Sequence, residues 1–222
     1  MSSGSRSPAD DRAAIAQRLR PVLLEAAAAA ALDVIGRVDA AVLVPLFVRD
    51  GALHAVLTRR RDDLRRHAGE ISFPGGRQDE DDSDLRLTAL REAEEEIGLP
   101  RQAVEVIGAL QPTPTIATGY AVYPFVGLIE PGHAWRPSAG EVAEVLELSL
   151  DDLRAGRGRR RLLRRGIPFR TDSYVVGGHL IWGATARILS DLLGRLEAAA
   201  RRPSRSAPQP CCPTRSTSRR SS

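Results

Sequence analysis

The chain has 222 residues, 27% of them charged and 42% hydrophobic, with a formal net charge of +4 and an isoelectric point near 9.8. That length admits one domain with a real core plus a terminal extension, and no stretch approaches the ~20 uninterrupted apolar residues of a membrane-spanning helix. The only cysteines, Cys211 and Cys212, are adjacent, which excludes a disulfide framework and a self-sufficient zinc site.

The positive charge suggests nucleic-acid binding until it is located. Residues 201–222 contain six arginines and no acid, so residues 1–200 carry 26 arginines against 28 acids, a balance of −2. Every cation is arginine, which, beside so much alanine, reads as the codon bias of a GC-rich genome. The Arg/Ser/Pro tail is read as disordered, and nucleic acid is not expected as a partner. The N-terminal "MSSGSRSPADDRAAIAQRLR" lacks the apolar run of a secretory signal, so the expected location is cytoplasmic, with no membrane association.

In chain order, Ala- and Leu-rich residues 8–32 predict one helix. "DAAVLVPLFVRDGALHAVLTRR" (39–60) gives two β-rich runs about Asp50-Gly51, a strong hairpin signal. "GEISFPGG" is a short strand entering a turn. Asp84 to Ile97 has helical spacing and stops at Gly98-Leu99-Pro100, where glycine suits a left-handed end and proline cannot continue. "AVEVIGAL" and "YAVYPFVGLIE" are strands joined by the Pro/Thr loop "QPTPTIATG". "EVAEVLELSLDDL" is a strand leading into a short helix, and "RTDSYVVGG" is a further strand. "GRGRRRLLRRG" (156–166) reads as a solvated loop or an anion-attracting rim, and "HLIWGATARILSDLLGRLEAAA" as a closing helix. This mixed order predicts an α/β fold of the α+β kind around a sheet core.

The run "REAEEEIG" carries the chemistry. On a helix Glu92, Glu95 and Glu96 stand at i, i+3 and i+4 and share a face opposite Leu90, Ala93 and Ile97. Like charges at that spacing cost about 0.2–0.5 kcal/mol per pair, and a hard divalent cation offsets the cost because Mg²⁺ favours carboxylate and phosphate oxygens. Taken alone, the run reads first as a solvated acidic face, which is what most glutamate runs are. Its flanks resemble the Nudix box, G-x5-E-x7-R-E-U-x-E-E-x-G-U with U aliphatic: Gly76, Arg91, Glu92, Ala93, Glu95, Glu96, Gly98 and Leu99 fall in place. One departure stands out. Asp82 replaces the first glutamate, and eight residues rather than seven separate it from Arg91.

A second segment, "LTRRRDDLRRHAGEISFPGG", is similar to the signature L-T-x-R-x4-R-x3-G-x3-F-P-G-G of the coenzyme A pyrophosphatase group of Nudix hydrolases. Leu57, Thr58, Arg60, Arg65, Gly69, Phe73, Pro74, Gly75 and Gly76 match it. The later "PTIATGYAVYPFVG" and "GGHLIWGATARIL" resemble that group as well. The resemblance covers roughly residues 38–195. It implies a Nudix α/β/α sandwich with a mixed central sheet, divided as a helical extension (1–36), the hydrolase domain (37–197) and the tail (198–222).

The resemblance also implies hydrolysis of CoA or acyl-CoA at its pyrophosphate with Mg²⁺ or Mn²⁺, Glu92 and Glu96 as metal ligands, and Glu95 as a further ligand or supporting partner. Another nucleoside diphosphate derivative is the alternative substrate. Arg91 is expected to orient a glutamate by ion pairing, and Glu94 to face solvent. Glu141 is the candidate for a base or extra ligand from a later loop, with Glu144 second. Gly75 and Gly76 allow close approach to phosphates. Arg60 and Arg65 are expected to bind substrate phosphates through their planar forks, whereas Arg59, Arg61 and Arg66 are expected to be surface residues. His67 and His179 are read as structural and Trp182 as core; Tyr120 and Tyr123 are candidates to flank the substrate. A ligand-sensing domain without catalysis is disfavoured because the glutamates are intact. The sequence leaves a homodimer open.

Overall fold

The computed structural model describes residues 8–36, 38–64, 67–115, 119–164 and 167–201. The Asp50-Gly51 hairpin forms between β1 (Val38–Arg49) and β2 (Ala52–Arg60). Both turn residues are left-handed, φ 53° and 75°, which matches the twist of a tight two-residue hairpin. β1 also runs parallel to β7 (Tyr120–Leu128), with Val38 opposite Tyr120 and Leu46 opposite Leu128. The same strand pairs antiparallel with β4 (Gly75–Arg77). The eight-stranded mixed sheet is completed by β3 (Ile71–Ser72), β5 (Glu105–Ala109), β6 (Thr113–Pro114) and β8 (Val142–Ser149).

Strand alternation divides the core into two layers. Ala41, Leu43 and Phe47 of β1 join Ala121, Tyr123 and Phe125 of β7 on one face, under helix α3 (Leu85–Ile97). Val44 and Leu46 join Val122, Val126 and Leu128 on the other face, under Leu189, Leu192 and Leu193 of helix α5 (Gly183–Arg201). α3 buries Leu85, Ala89, Leu90, Ala93 and Ile97, and each large side chain so buried is worth about 1.5–3 kcal/mol. Its ends follow the sequence. The Asp84 carboxylate accepts from Leu87 N at 2.8 Å, and Gly98, at φ 69°, closes the last turn.

Three expectations change. The helix predicted over 8–32 is broken into α1 (Pro8–Leu19), a 3₁₀ turn (Arg20–Val22) and α2 (Ala26–Ala30). Pro21 lacks an amide hydrogen, Leu24 bridges to Ala109, and Glu25 starts the second helix by accepting from Ala27 N and Ala28 N. Residues 157–164 are a strand, β9 (Arg157–Arg164), and not a loop; β9 pairs with β10 (Ile167–Val176). The segment 179–182 is likewise a strand, β11 (His179–Trp182), turned back on β10 by Gly177 and Gly178 at φ 57° and 82°. The closing helix α5 therefore begins only at Gly183. A helix α4 (Leu150–Ala155) follows β8, as expected. Among the described residues no helix is long and apolar enough to cross a membrane.

Candidate active site

The glycine turn and the carboxylate helix meet because each is fixed by its own contacts. Pro74 O accepts from Leu43 N at 2.9 Å, and Gly75 and Gly76 pair with Val42 and Ala41. A Cβ on Gly75 would lie 2.3 Å from Ala41 O, and one on Gly76 would lie 2.4 Å from Glu92 Oε1. At Gly75 the obstacle is backbone and only glycine fits; at Gly76 it is the end of a flexible side chain, which would have to turn away. Gly75 N donates to Glu96 Oε2 at 3.4 Å. The two carboxylates at i and i+4 on α3 thus lie against the backbone of the turn.

Glu96 is 93% buried by side chain, and its carboxyl is pushed up to about 8 by desolvation first and by repulsion from Glu92 second; Arg60 only partly opposes this. Burial also raises Glu92, against the pull of Arg91. Arg91 is saturated with partners. Its Nε and Nη2 donate to Asp82 Oδ1 and Oδ2 at 3.1 and 2.9 Å, Nη2 donates to Arg77 O at 3.1 Å, and Nη1 reaches Glu92 at 3.0 Å and Glu95 at 3.1 Å. The Asp82 carboxyl is lowered to about 2, chiefly by those Arg91 bonds. This accounts for the departure in the box. A turn closes on itself through Asp82 N to Asp79 O and Asp79 N to Asp82 Oδ2, both 3.1 Å, absorbing the extra loop residue. The shorter aspartate then reaches the arginine.

Glu141 comes from a loop hung on the end of α3. Arg136 N and Ser138 N donate to Ile97 O and Glu96 O at 3.0 and 2.8 Å, and Glu141 N returns to Ser138 O at 3.1 Å. Its negative charge raises both Glu92 and Glu96. Arg60, on β2, lies between: its Nη1 is 3.5 Å from Glu141 and 3.9 Å from Glu96.

The structure thus brings together Glu92, Glu96, Glu141, Arg60, Gly75 and Gly76. Glu95 lies at the exposed rim, held by Arg91, and Arg65 lies outside the described residues. Glu144 faces Arg59 instead, at 3.4 Å, and Glu94 points to the surface, where it pairs with Arg101 at 2.8 Å. Tyr123 is core, its hydroxyl donating to Leu32 O at 2.9 Å, and does not flank the cleft. His67 hydrogen-bonds Glu70 at 2.6 Å.

Arg61 lies at the surface, as expected, and from there it also fastens the Glu141 loop. Its backbone N donates to Glu141 O at 3.0 Å and its Nη1 to Ala139 O at 2.7 Å.

As placed, no three acidic, His or Cys side chains among the described residues converge on one ion; Arg91 and Arg60 stand among the carboxylates. The donor chemistry nevertheless fits a hard divalent cation: two oxygen ligands one helical turn apart, one of them buried with no cation at hydrogen-bond distance.

A family model described as the NUDIX domain matches residues 37–166. The chain belongs to the Nudix family. This Nudix protein is 44% identical, over 156 residues, to an uncharacterized Nudix hydrolase NudL from Salmonella paratyphi B and to its counterpart from Salmonella newport, spanning 69% of this chain and 80% of theirs. Among solved structures it resembles a MutT/nudix family protein from Enterococcus faecalis, with a TM-score of 0.51 and 14% identity over 75% of this chain and 64% of that one. That likeness concerns the fold alone. As a Nudix hydrolase the protein acts on a nucleoside diphosphate derivative, and the family generally uses divalent cations such as Mg²⁺.

Proposed function

We propose that this Nudix hydrolase cleaves the diphosphate bond of coenzyme A or an acyl-CoA, releasing adenosine 3′,5′-bisphosphate and 4′-phosphopantetheine or its acyl form. The observation that carries the reaction type is the Glu92–Glu96 pair set against the Gly75-Gly76 backbone, with Glu96 buried and undercompensated. The choice of CoA is supported by the signature over residues 57–76, which puts Arg60 in the same cleft and Arg65 five residues further along.

A diphosphate presents adjacent negative charges that repel an attacking water, so catalysis must neutralise charge and position the nucleophile. Glu92 and Glu96 are the residues to hold Mg²⁺ or Mn²⁺, with Glu95 at the rim; such an ion, when bound, neutralises phosphate charge and acidifies water. Arg91 keeps the Glu92 carboxylate turned to the glycine turn. The two glycines leave room for phosphate oxygens beside the backbone. Glu141 takes a proton from water as the water oxygen bonds one phosphorus, and the bridging oxygen departs with the other phosphate. Residues 37–197 are read as the catalytic domain, 1–36 as an extension and 198–222 as a tail.

The test is product analysis with purified protein over CoA, acetyl-CoA, ADP-ribose and NADH, each with Mg²⁺, with Mn²⁺ and with EDTA. Adenosine 3′,5′-bisphosphate should appear from the CoA substrates and only with metal. Faster turnover of ADP-ribose or NADH would overturn the CoA assignment while leaving the diphosphate chemistry standing.

A further inference from the structure

Three arginines in a row, 59, 60 and 61, leave β2 in different directions. Arg59 is bound outward by Asp62 at 3.1 Å and Glu144 at 3.4 Å, and Arg61 by Asp63 at 2.7 Å and Ala139 O. A register shift between Arg59 and Arg60 where β2 meets β8 accompanies the divergence. Arg60 alone enters the cleft. Its backbone is secured, N to Glu70 O at 3.0 Å, but its side chain is not: Nε is buried without a partner, and Nη1 stands at 3.5 Å from Glu141 Oε2 and 3.9 Å from Glu96 Oε1. Arg91, by contrast, has every guanidinium nitrogen engaged at 3.1 Å or less. One arginine is locked among the acids and the other merely rests there.

We infer that Arg60 is a displaceable counter-ion of the carboxylate cleft: its guanidinium occupies the cation position between Glu96 and Glu141 and moves to the substrate diphosphate when a divalent ion enters. This rests on the reading of Glu92 and Glu96 as metal-holding residues. The physical ground is exclusion. A cation held by Glu96 and a guanidinium nitrogen 3.9 Å from the same carboxylate repel each other. The buried Nε and the long contacts mean that few hydrogen bonds are lost when the side chain leaves. Its destination follows from chemistry, since a planar fork of donors matches a diphosphate and has no other acid of the β2 run to join. Arg60 is thereby both a brake on metal entry and a substrate contact, and the two roles act in opposite directions on the two ligands.

The experiment measures Mn²⁺ binding without substrate, by the electron-paramagnetic-resonance signal of free Mn²⁺, on the full chain after EDTA treatment. Wild type is compared with Arg60→Gln, Arg60→Met, Arg60→Lys and, as a reference, Glu96→Gln. Loss of the guanidinium in the Gln and Met variants should tighten Mn²⁺ binding about tenfold, equivalent to ~1.4 kcal/mol, while Arg60→Lys stays near wild type. The Gln variant should at the same time raise KM for CoA. Unchanged or weaker Mn²⁺ binding in both neutral variants overturns the inference, even where Glu96→Gln abolishes binding as the metal reading requires. Failure of wild type itself to bind Mn²⁺ removes the metal reading and the inference together.

Discussion

Glu96→Gln turns the buried carboxyl of α3 into a direct probe of the site. In the folded protein this group ionises near 8, against an ordinary 4.5, mainly because it is desolvated. Below about 4.5 it is protonated in both folded and unfolded chains. As pH rises the unfolded chain ionises first, so the folded state holds the extra proton, and stability declines until the folded value near 8 is passed. At 1.36 kcal/mol per unit, the full loss is at most about 5 kcal/mol, and relaxation of the site will reduce it. Glutamine has no charge at any pH and removes this slope. With metal stripped by EDTA, urea unfolding at pH 5 to 9 should show the variant gaining on wild type by up to about 1 kcal/mol per pH unit between 6 and 8. Each kcal/mol corresponds to about 2–4 °C in Tm for a chain of this size. Millimolar Mn²⁺ should restore wild type at pH 8 and leave the variant unmoved, and CoA turnover should vanish in the variant. Parallel stability curves for the two proteins would refute the reasoning, because they would mean that Glu96 ionises as freely as an exposed glutamate.

Gly75→Ala should destabilise by about 3 kcal/mol or more in a thermal melt, because its Cβ meets backbone, Ala41 O at 2.3 Å. Gly76→Ala meets only the Glu92 carboxylate end, so its stability should fall by about 1 kcal/mol or less while turnover drops at least tenfold; equal melting losses would contradict that contrast. Asp82→Asn should cost about 1.5–3 kcal/mol at neutral pH, the worth of charged hydrogen bonds. This difference should shrink in acid, starting where the unfolded aspartate takes up its proton below 3.8 and ending where the folded carboxylate follows near 2, so urea titrations should show part of it gone at pH 3 relative to pH 7. Arg65→Ala should raise KM for CoA more than for dephospho-CoA if this residue binds the 3′-phosphate, and equal effects would remove that role.

Local rules were legible wherever one residue decided the outcome. Asp50-Gly51 specified a hairpin, Asp84 and Gly98 bounded α3, and the i, i+4 spacing placed Glu92 and Glu96 together. What escaped depended on partners far away in sequence. The alanine run 26–30 looked continuous with α1 until Pro21 and the bridge from Leu24 to Ala109 interrupted it. β9 hid because six arginines in "GRGRRRLLRRG" mimic a solvated loop, although an edge strand tolerates charge well. The Gly177-Gly178 pair was a hairpin signal between two apolar runs, masked by the helical composition that follows Trp182. Arg61 could not be told from its neighbours by type, since only the path of the 136–141 loop gives it a carbonyl to hold.

That loop is joined to α3 by main-chain amides, from Arg136 and Ser138 to the carbonyls of Ile97 and Glu96, and to the end of β2 by Arg61. The carbonyl of Glu96 therefore supports the segment bearing Glu141 while its own carboxylate faces the cleft. Acidic groups separated by more than forty positions in the chain are thus spaced by a short run of main-chain hydrogen bonds. Because the joints to α3 use main-chain atoms, substitutions at the exposed positions between them can reshape the cleft wall while the backbone bonds that set the spacing remain.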